Sequence, residues 1–267
     1  MILVKIGGGA NINIDYIISD LADYLQKSNE SCIIVHGANS LRDDIARRLN
    51  YEKVVLTSVS GYSSVYSDKE AINIQMMTYA GMKNKRLIES CQIHGINAIG
   101  LTGLDGKVIQ GKRNQGIRIK EGEKLKIKRD FSGKPQSVNT NLLHLLTSNG
   151  YTPVLTVPII DENNFAINSE NDDIIAELHR ALKATAIFQF IEEPGLLQDF
   201  NNKDSVIKKL SKLELDAMEE KAEGRIKRKL YALKKLIDYG STKVYITDGR
   251  IEQPITNALA GHGTIIE

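Results

Sequence analysis

Lys5 closes the apolar run Ile2-Leu3-Val4 and is followed, after Ile6, by Gly7, Gly8 and Gly9. A lysine beside consecutive glycines suits an anion. Without a Cβ, backbone N–H groups can approach phosphate oxygens, and the ammonium adds a point charge. The spacing is neither G-x-x-x-x-G-K-S/T nor G-x-G-x-x-G, so two common nucleotide motifs are set aside. On these residues alone the stretch is either a tight structural turn or an anion site. Asn168 and Asp172 flank the start of a helical run at 174–182. Polar side chains there address an anion, address the lysines that hold one, or cap the helix. Gly224-Arg225-Ile226-Lys227-Arg228-Lys229 opens a helix reaching about Asp238. Cations in a first turn oppose the helix dipole unless an anion is shared there, so this cluster points to phosphate. His36, ending a second apolar run, is either a ligand or base or a locally hydrogen-bonded residue. Cys32 and Cys91 sit singly in apolar segments without C-x-x-C spacing or a histidine cluster, which reads as buried thiols rather than a disulfide or zinc site.

The apolar periodicity describes the framework that must hold these groups. Residues 2–6 and 32–36 are continuous apolar runs of the kind that strands covered on both faces show. Each ends in a small-residue turn, Gly7-Gly8-Gly9 and Gly37-Ala38-Asn39, and each turn leads into a helical pattern, at 13–27 and 40–49. A βαβ unit of this kind sets both turns at the carboxyl edge of a parallel sheet, where open α/β proteins bind ligands. Ser67-Asp68-Lys69-Glu70 reads as a capping box with serine at the N-cap, opening a long helix to about His94 that bends at Gly81. Its Ile72, Ile74, Met76, Met77, Tyr79 and Met82 exceed what one lobe needs and serve either a homodimer seam or ordinary core. Further strands are predicted at 96–101, 154–157, 188–191, 244–247 and 263–266, and a helix at 141–149.

With 42% hydrophobic and 25% charged residues in 267, the chain fits a soluble globular protein of one large or two small domains. No stretch approaches the ~18 apolar residues of a membrane span, and the N-terminus lacks a signal peptide's basic region and cleavage site. The expectation is a cytoplasmic protein with no membrane association. The net charge of +2 conceals an asymmetry. Between 111 and 135 nine basic residues face three acidic ones, a local +6 that leaves the rest of the chain at −4. Within that window Ile117-Arg118-Ile119-Lys120 and Leu125-Lys126-Ile127-Lys128 alternate with period two, as antiparallel hairpin strands with one wet face do. The excess, placed on that one face, is either a solvated surface or a contact for an acidic macromolecule. Nucleic acid is not expected, since Phe131 is the only aromatic in the window.

Together these segments carry a family resemblance. The order Lys5-x-Gly7-Gly8, Val35-His36-Gly37, Gly100 to Gly106, Asn168-(x)3-Asp172, Gly224-x-Ile226-x-x-Lys229 and Thr247-Asp248-Gly249-Arg250 resembles the amino acid kinase family over nearly the whole chain. Within it the chain is most similar to acetylglutamate-kinase-like members acting on glutamate or 2-aminoadipate attached to LysW, a small acidic amino-group carrier protein of lysine and arginine biosynthesis. The specific segments are 103–106, 128–134 and 224–230. The resemblance implies an α/β fold, a three-layer αβα sandwich around an open, mostly parallel sheet of about eight strands with an inserted antiparallel hairpin. It also implies a carboxylate-binding and dimerising lobe at 1–160, containing the basic hairpin at 106–130, and an ATP-binding lobe at 161–267.

The implied reaction is ATP-dependent phosphorylation of a side-chain carboxylate to an acyl phosphate. A carboxylate is already a nucleophile, so no general base is required, and Mg²⁺ is held mainly by the ATP phosphates with no protein metal ligands. By resemblance Lys5 and Lys229 stabilise the transferring phosphoryl group and Asp172 holds them. Gly37, Ala38, Val65 and Asn168 occupy substrate positions, and Gly7, Gly8 and Gly195 the phosphate and ATP side. Arg118, Lys126 and Lys128 are the expected carrier contacts. The sequence departs from the family pattern at Ala38-Asn39, where further glycines are usual, and at Glu192-Glu193, beside the nucleotide. It departs again at Val65, where an arginine usually takes the substrate's α-carboxylate; Arg42, one turn into the helix after Gly37-Ala38-Asn39, is the basic candidate to replace it. Alternatives are a kinase of free N-acetylglutamate and a non-catalytic module on the same fold. Lys5, Asp172 and Lys229 together argue against the module, and the basic hairpin favours a carrier.

Overall fold

The computed structural model describes residues 1–59, 63–121, 124–199, 201–222, 224–240 and 242–267. In chain order, β1 (Ile2–Ile6), α1 (Ile14–Ser28), β2 (Cys32–His36) and α2 (Asn39–Arg48) form the expected repeat. A small hairpin of β3 (Val55–Thr57) and β4 (Ser63–Val65) precedes a long helical segment, α3 (Lys69–Gln75), a π-helical stretch Met76–Lys83 and α4 (Asn84–Ile93). After β5 (Ala98–Thr102) come β6 (Ile109–Arg113), β7 (Ile117–Glu121), β8 (Lys124–Lys128) and β9 (Gly133–Val138). Then follow α5 (Thr140–Ser148), β10 (Thr152–Thr156), β11 (Ile159–Ile160), β12 (Ala166–Ile167), α6 (Asn171–Leu182) and β13 (Ala186–Ile191). The chain ends with β14 (Lys209–Leu210), α7 (Lys212–Lys221), α8 (Gly224–Asp238), β15 (Lys243–Asp248), α9 (Pro254–Leu259) and β16 (Thr264–Ile266).

An eight-stranded sheet in the order β14-β16-β15-β13-β1-β2-β10-β5 forms the middle layer, parallel at every pairing except β15 with β16. Strand side chains alternate between its faces. On one face Leu3, Ile33, Val35 and Ile187 pack on α6 and α8 through Ile174, Leu178, Leu230 and Leu233. On the other, Ile2, Val4, Ile6, Ile34, Phe188 and Phe190 pack on α1 and α4 through Ile17, Ile18, Leu21 and Leu87. Both faces are therefore covered, which is why these strands read as unbroken apolar runs. The same alternation sends Lys5, two residues after Leu3, to the α6 side. Cys32 and Cys91 are buried free thiols in the second layer of packing.

Some local expectations shift. Asp68, not Ser67, is the N-cap of α3 and accepts Ala71 N at 2.8 Å. Aspartate caps as well as serine does, and Ser67 N is instead engaged by Asp130 Oδ2 at 3.0 Å. At Gly81 the long helix does not simply bend, because the π-helical stretch Met76–Lys83 absorbs the irregularity. Strand β9 went unseen because Pro135 breaks its pattern, and proline is tolerated there because β9 is an edge strand. Helices α7 and α9 were also missed, although Ser211 and Glu214 form a complete capping box on α7.

The inserted hairpin is present, with β7 and β8 antiparallel. Its basic residues do not share one face. Arg118 lies opposite Ile127 and Lys126 opposite Ile119. Cross-strand partners share a face, so Arg118 is on one side and Lys126 and Lys128 on the other. Every residue of β8 is exposed, Leu125 and Ile127 included, so neither face of that strand is dry. The hairpin joins the body through Val59 N to Arg118 O at 2.9 Å. Arg113 lies over the Phe131 ring at 3.9 Å, with its Nε bonded to Asp130 O.

Candidate active site

The carboxyl ends of β1, β2 and β13 meet at the centre of the sheet, and Lys5 lies there almost fully buried. Its ammonium pairs with the carboxylate of Asp172, in the first turn of α6. A buried ammonium without a partner would be costly; the carboxylate offsets that cost and fixes where the charge points. Neither Asn168 nor Asp172 caps α6. The N-cap is Glu170, whose side chain makes no capping bond, so Asp172 serves the lysine rather than the helix end.

The two glycine turns touch. A Cβ on Gly8 would stand 2.5 Å from Asn39 N, and one on Gly37 would stand 2.9 Å from Gly8 N. Ser40 N donates to Gly8 O at 2.9 Å across the same gap. Gly7 N is committed to Phe190 O at 2.9 Å, whereas Gly8 N has no hydrogen-bond partner among the described residues. Gly7 thus contributes clearance, and Gly8 contributes the donor of the turn. Ala38 is the N-cap of α2 and makes no side-chain cap. Asn39 accepts from the buried Tyr79 hydroxyl, whose pKa burial pushes up to about 12. The asparagine therefore ties α2 to the long helix.

His36 is settled as a structural residue. It is fully buried, with Nε2 3.1 Å from Asn84 Nδ2 and Nδ1 3.3 Å from Gly37 O. Burial brings its pKa down to about 4, so it is a neutral strut under the second turn.

Asn168 is locked at both ends, with Oδ1 accepting Gln75 Nε2 at 2.6 Å and Nδ2 donating to Ser67 Oγ at 3.1 Å. Val65 ends β4 and lines a cavity that also meets Arg42, Lys53, Tyr51 and Ile74. Arg42 does reach the neighbourhood of Val65, held there by Asp43 at 2.8 Å, which Lys53 also contacts at 2.6 Å. Lys229 is exposed in the second turn of α8, the helix packed along α6 with Lys235 Nζ 3.1 Å from Asp173 Oδ1. The side chains of Arg225 and Arg228 in that basic cluster lie outside the described residues. Gly195 is buried against the turn before β16, where a Cβ would meet Thr264 Oγ1 at 2.8 Å. Glu192 accepts Asn11 N at 2.7 Å and covers Gly9, and Glu193 pairs with Lys203. Glu192 thus supports the loop that carries the glycine turn, and Glu193 the loop that carries Lys203. Arg118, Lys126 and Lys128 are exposed on the hairpin. Gln75, Ser67 and Tyr79 were not among the sequence candidates. An amide in the buried stripe of α3 beside Ile72 and Ile74 was the available signal for Gln75.

A buried Lys–Asp pair beside two apposed glycine turns, at the carboxyl edge of a parallel sheet, suits an α/β protein that holds and transfers phosphate. The chain belongs to the amino acid kinase family, whose model matches residues 1–248, and is accordingly a phosphotransferase. It is 38% identical over 267 residues to the LysW-aminoadipate kinase of Deinococcus radiodurans, covering all of this chain and 91% of that one. It is 36% identical over 269 residues to the LysW-aminoadipate kinase of Thermus thermophilus, covering the whole of both chains. Among solved structures, N-acetylglutamate synthase of Neisseria gonorrhoeae has the same fold, with a TM-score of 0.79 at 16% identity over 99% of this chain and 58% of that one. Among the described residues no helix is long and apolar enough to cross a membrane.

Proposed function

We propose that this kinase transfers the γ-phosphoryl group of ATP to the side-chain carboxylate of 2-aminoadipate or glutamate carried on a small acidic LysW-type protein. The names of its full-length relatives support that substrate. The observation that carries the reading is the buried pair of Asp172 with Lys5 on β1, the strand that leads into the Gly7-Gly8-Gly9 turn. A phosphate chain fits this turn, because Gly8 has an available N–H and a cation stands beside it. Mg²⁺ arrives with the ATP phosphates. A carboxylate oxygen of the substrate attacks the γ-phosphorus, the bond to the bridging oxygen breaks, and ADP leaves as the acyl phosphate forms. Lys5 and Lys229 stabilise charge on the transferring group, and Asp172 orients Lys5. No proton needs to be removed from the nucleophile.

In this reading residues 1–160 bind the carboxylate substrate and residues 161–267 bind ATP. Gly37, Ala38, Val65 and Asn168 line the substrate side, and Gly8, Gly7 and Gly195 shape the nucleotide side. The exposed Arg118, Lys126 and Lys128 meet the acidic carrier. Met77 and Met82, about half exposed on the long helix, support a homodimer seam there. The enzyme acts in the cytoplasm. The deciding experiment compares ADP release with carrier-linked 2-aminoadipate, carrier-linked glutamate and free N-acetylglutamate. Turnover of a carrier-linked substrate well above that of N-acetylglutamate is expected; preference for the free amino acid would overturn the carrier reading.

A further inference from the structure

We propose that Gln75 is a substrate-binding residue whose side-chain oxygen accepts the N–H of the amide linking the amino acid to its carrier, so that it sets specificity for an amide-linked substrate. The inference rests on the carrier-linked reading above. Gln75 is the last residue of α3 and is 3% exposed. Its orientation follows from a chain of donors. Ser67 Oγ–H donates to Val65 O at 3.2 Å, so the lone pairs of that oxygen receive Asn168 Nδ2–H at 3.1 Å. Asn168 must then turn Oδ1 toward Gln75, and Gln75 must answer with Nε2–H, at 2.6 Å. This leaves Gln75 Oε1 buried with no partner among the described residues.

Leaving an acceptor dry in this way is costly, and an apolar side chain of similar length would have avoided it. Holding Asn168 requires only the NH₂ end of the amide, so the oxygen is unexplained by structure alone. Among the described residues, two more buried acceptors lack partners on the segment just after Asn168, namely Ser169 Oγ and Asn171 Oδ1. Asn171 is placed by its own amide nitrogen, which donates to His36 O at 3.0 Å beside the second glycine turn. Such unmet acceptors at a candidate site call for a ligand that brings donors. A 2-aminoadipyl or glutamyl group attached through its amino group offers one secondary amide N–H and, in the reading above, offers it near Asn168. A free amino acid offers an ammonium instead, which a neutral amide oxygen does not compensate in charge.

The test uses the full-length enzyme and two carriers, one bearing amide-linked 2-aminoadipate and one bearing ester-linked 2-hydroxyadipate, which lacks only the N–H. Wild type should prefer the amide by roughly tenfold in kcat/KM, the worth of about one hydrogen bond. Gln75→Met should lower kcat/KM for the amide more than for the ester, bringing the two within about twofold. A loss shared equally by both substrates would mean that Gln75 only supports Asn168, and would overturn the proposal. The wild-type ratio needs no variant to fold, and a ratio near one overturns it as well. Turnover of neither carrier by the wild type removes the carrier-linked reading itself and this inference with it.

Discussion

His36 offers a quantitative check on the packing beneath the second glycine turn. The ring is buried at the carboxyl end of β2, with Asn84 and the Gly37 carbonyl as its partners. Burial lowers its pKa from 6.5 to about 4, so the folded protein keeps the ring neutral under conditions in which the unfolded chain takes up a proton. Between pH 6.5 and 4 the unfolded state binds more protons, and stability must fall as the pH drops through this window and level off above it. From 6.5 to about 4, at ~1.4 kcal/mol per pH unit for one proton, the loss amounts to roughly 3 kcal/mol. His179, whose pKa burial also lowers, acts with the same sign. The variant His36→Gln retains amide hydrogen bonding but does not titrate. Urea unfolding followed by circular dichroism from pH 4 to 8 should give the variant a shallower acid limb by about one proton, whatever its offset at pH 7. Identical slopes for the two proteins would show that His36 titrates alike folded and unfolded, and would refute the strut.

Lys5→Ala and Lys229→Ala should each lower kcat by about a hundredfold, on the order of 3 kcal/mol, while weakening ATP binding far less, because the charge they meet is greatest in the transition state. Near-normal turnover in steady-state kinetics would remove either from the site. Lys5→Ala should also depress the melting temperature, since it removes the buried ammonium that pairs with Asp172. Lys126→Glu with Lys128→Glu should weaken carrier binding and flatten its salt dependence. Comparing that pair with Arg118→Glu, on the other face, identifies the docking side, and binding indifferent to both changes and to salt would leave the hairpin a solvated surface. Gly8→Ala should abolish activity and cost about 2 kcal/mol of stability, because the new Cβ meets Asn39 N at 2.5 Å; unchanged calorimetric melting would contradict the closeness of the two turns.

The parts of this site that could be read in the sequence are those whose signal is local. A lysine inside an apolar strand and before glycines, or an aspartate in the first turn of a helix, is unusual enough to notice where it stands. Lys5, Asp172, Asn168 and the two turns were visible for that reason, as were the central strands, whose burial on both faces leaves unbroken apolar runs. Ser67 and Gln75 carry no such mark. Their meaning comes from Asn168, a residue far along the chain that the fold brings against them. Ser67 was even given to the wrong task, because serine and aspartate are equally good caps and only the buried Asp130 decides between them. The hairpin's charge was read from composition, yet the register, which sequence alone does not reveal, divides it between two faces.

The strand order also bears on how the protein is made. β1 leaves the ribosome well before β13, at Ala186–Ile191, which is one of its two neighbours in the sheet. At ~5–20 residues per second, roughly 180 residues of synthesis hold that edge open for on the order of 10–40 s. During that interval the nascent half-sheet ends in Ile2-Leu3-Val4-Lys5-Ile6, an apolar edge of the kind that pairs with other chains. Lys5 is its only charge. A solvated ammonium in the middle of an exposed strand is the common natural guard against edge-to-edge aggregation. The residue that pairs with Asp172 in the folded protein is thus also placed to guard the edge of the growing chain.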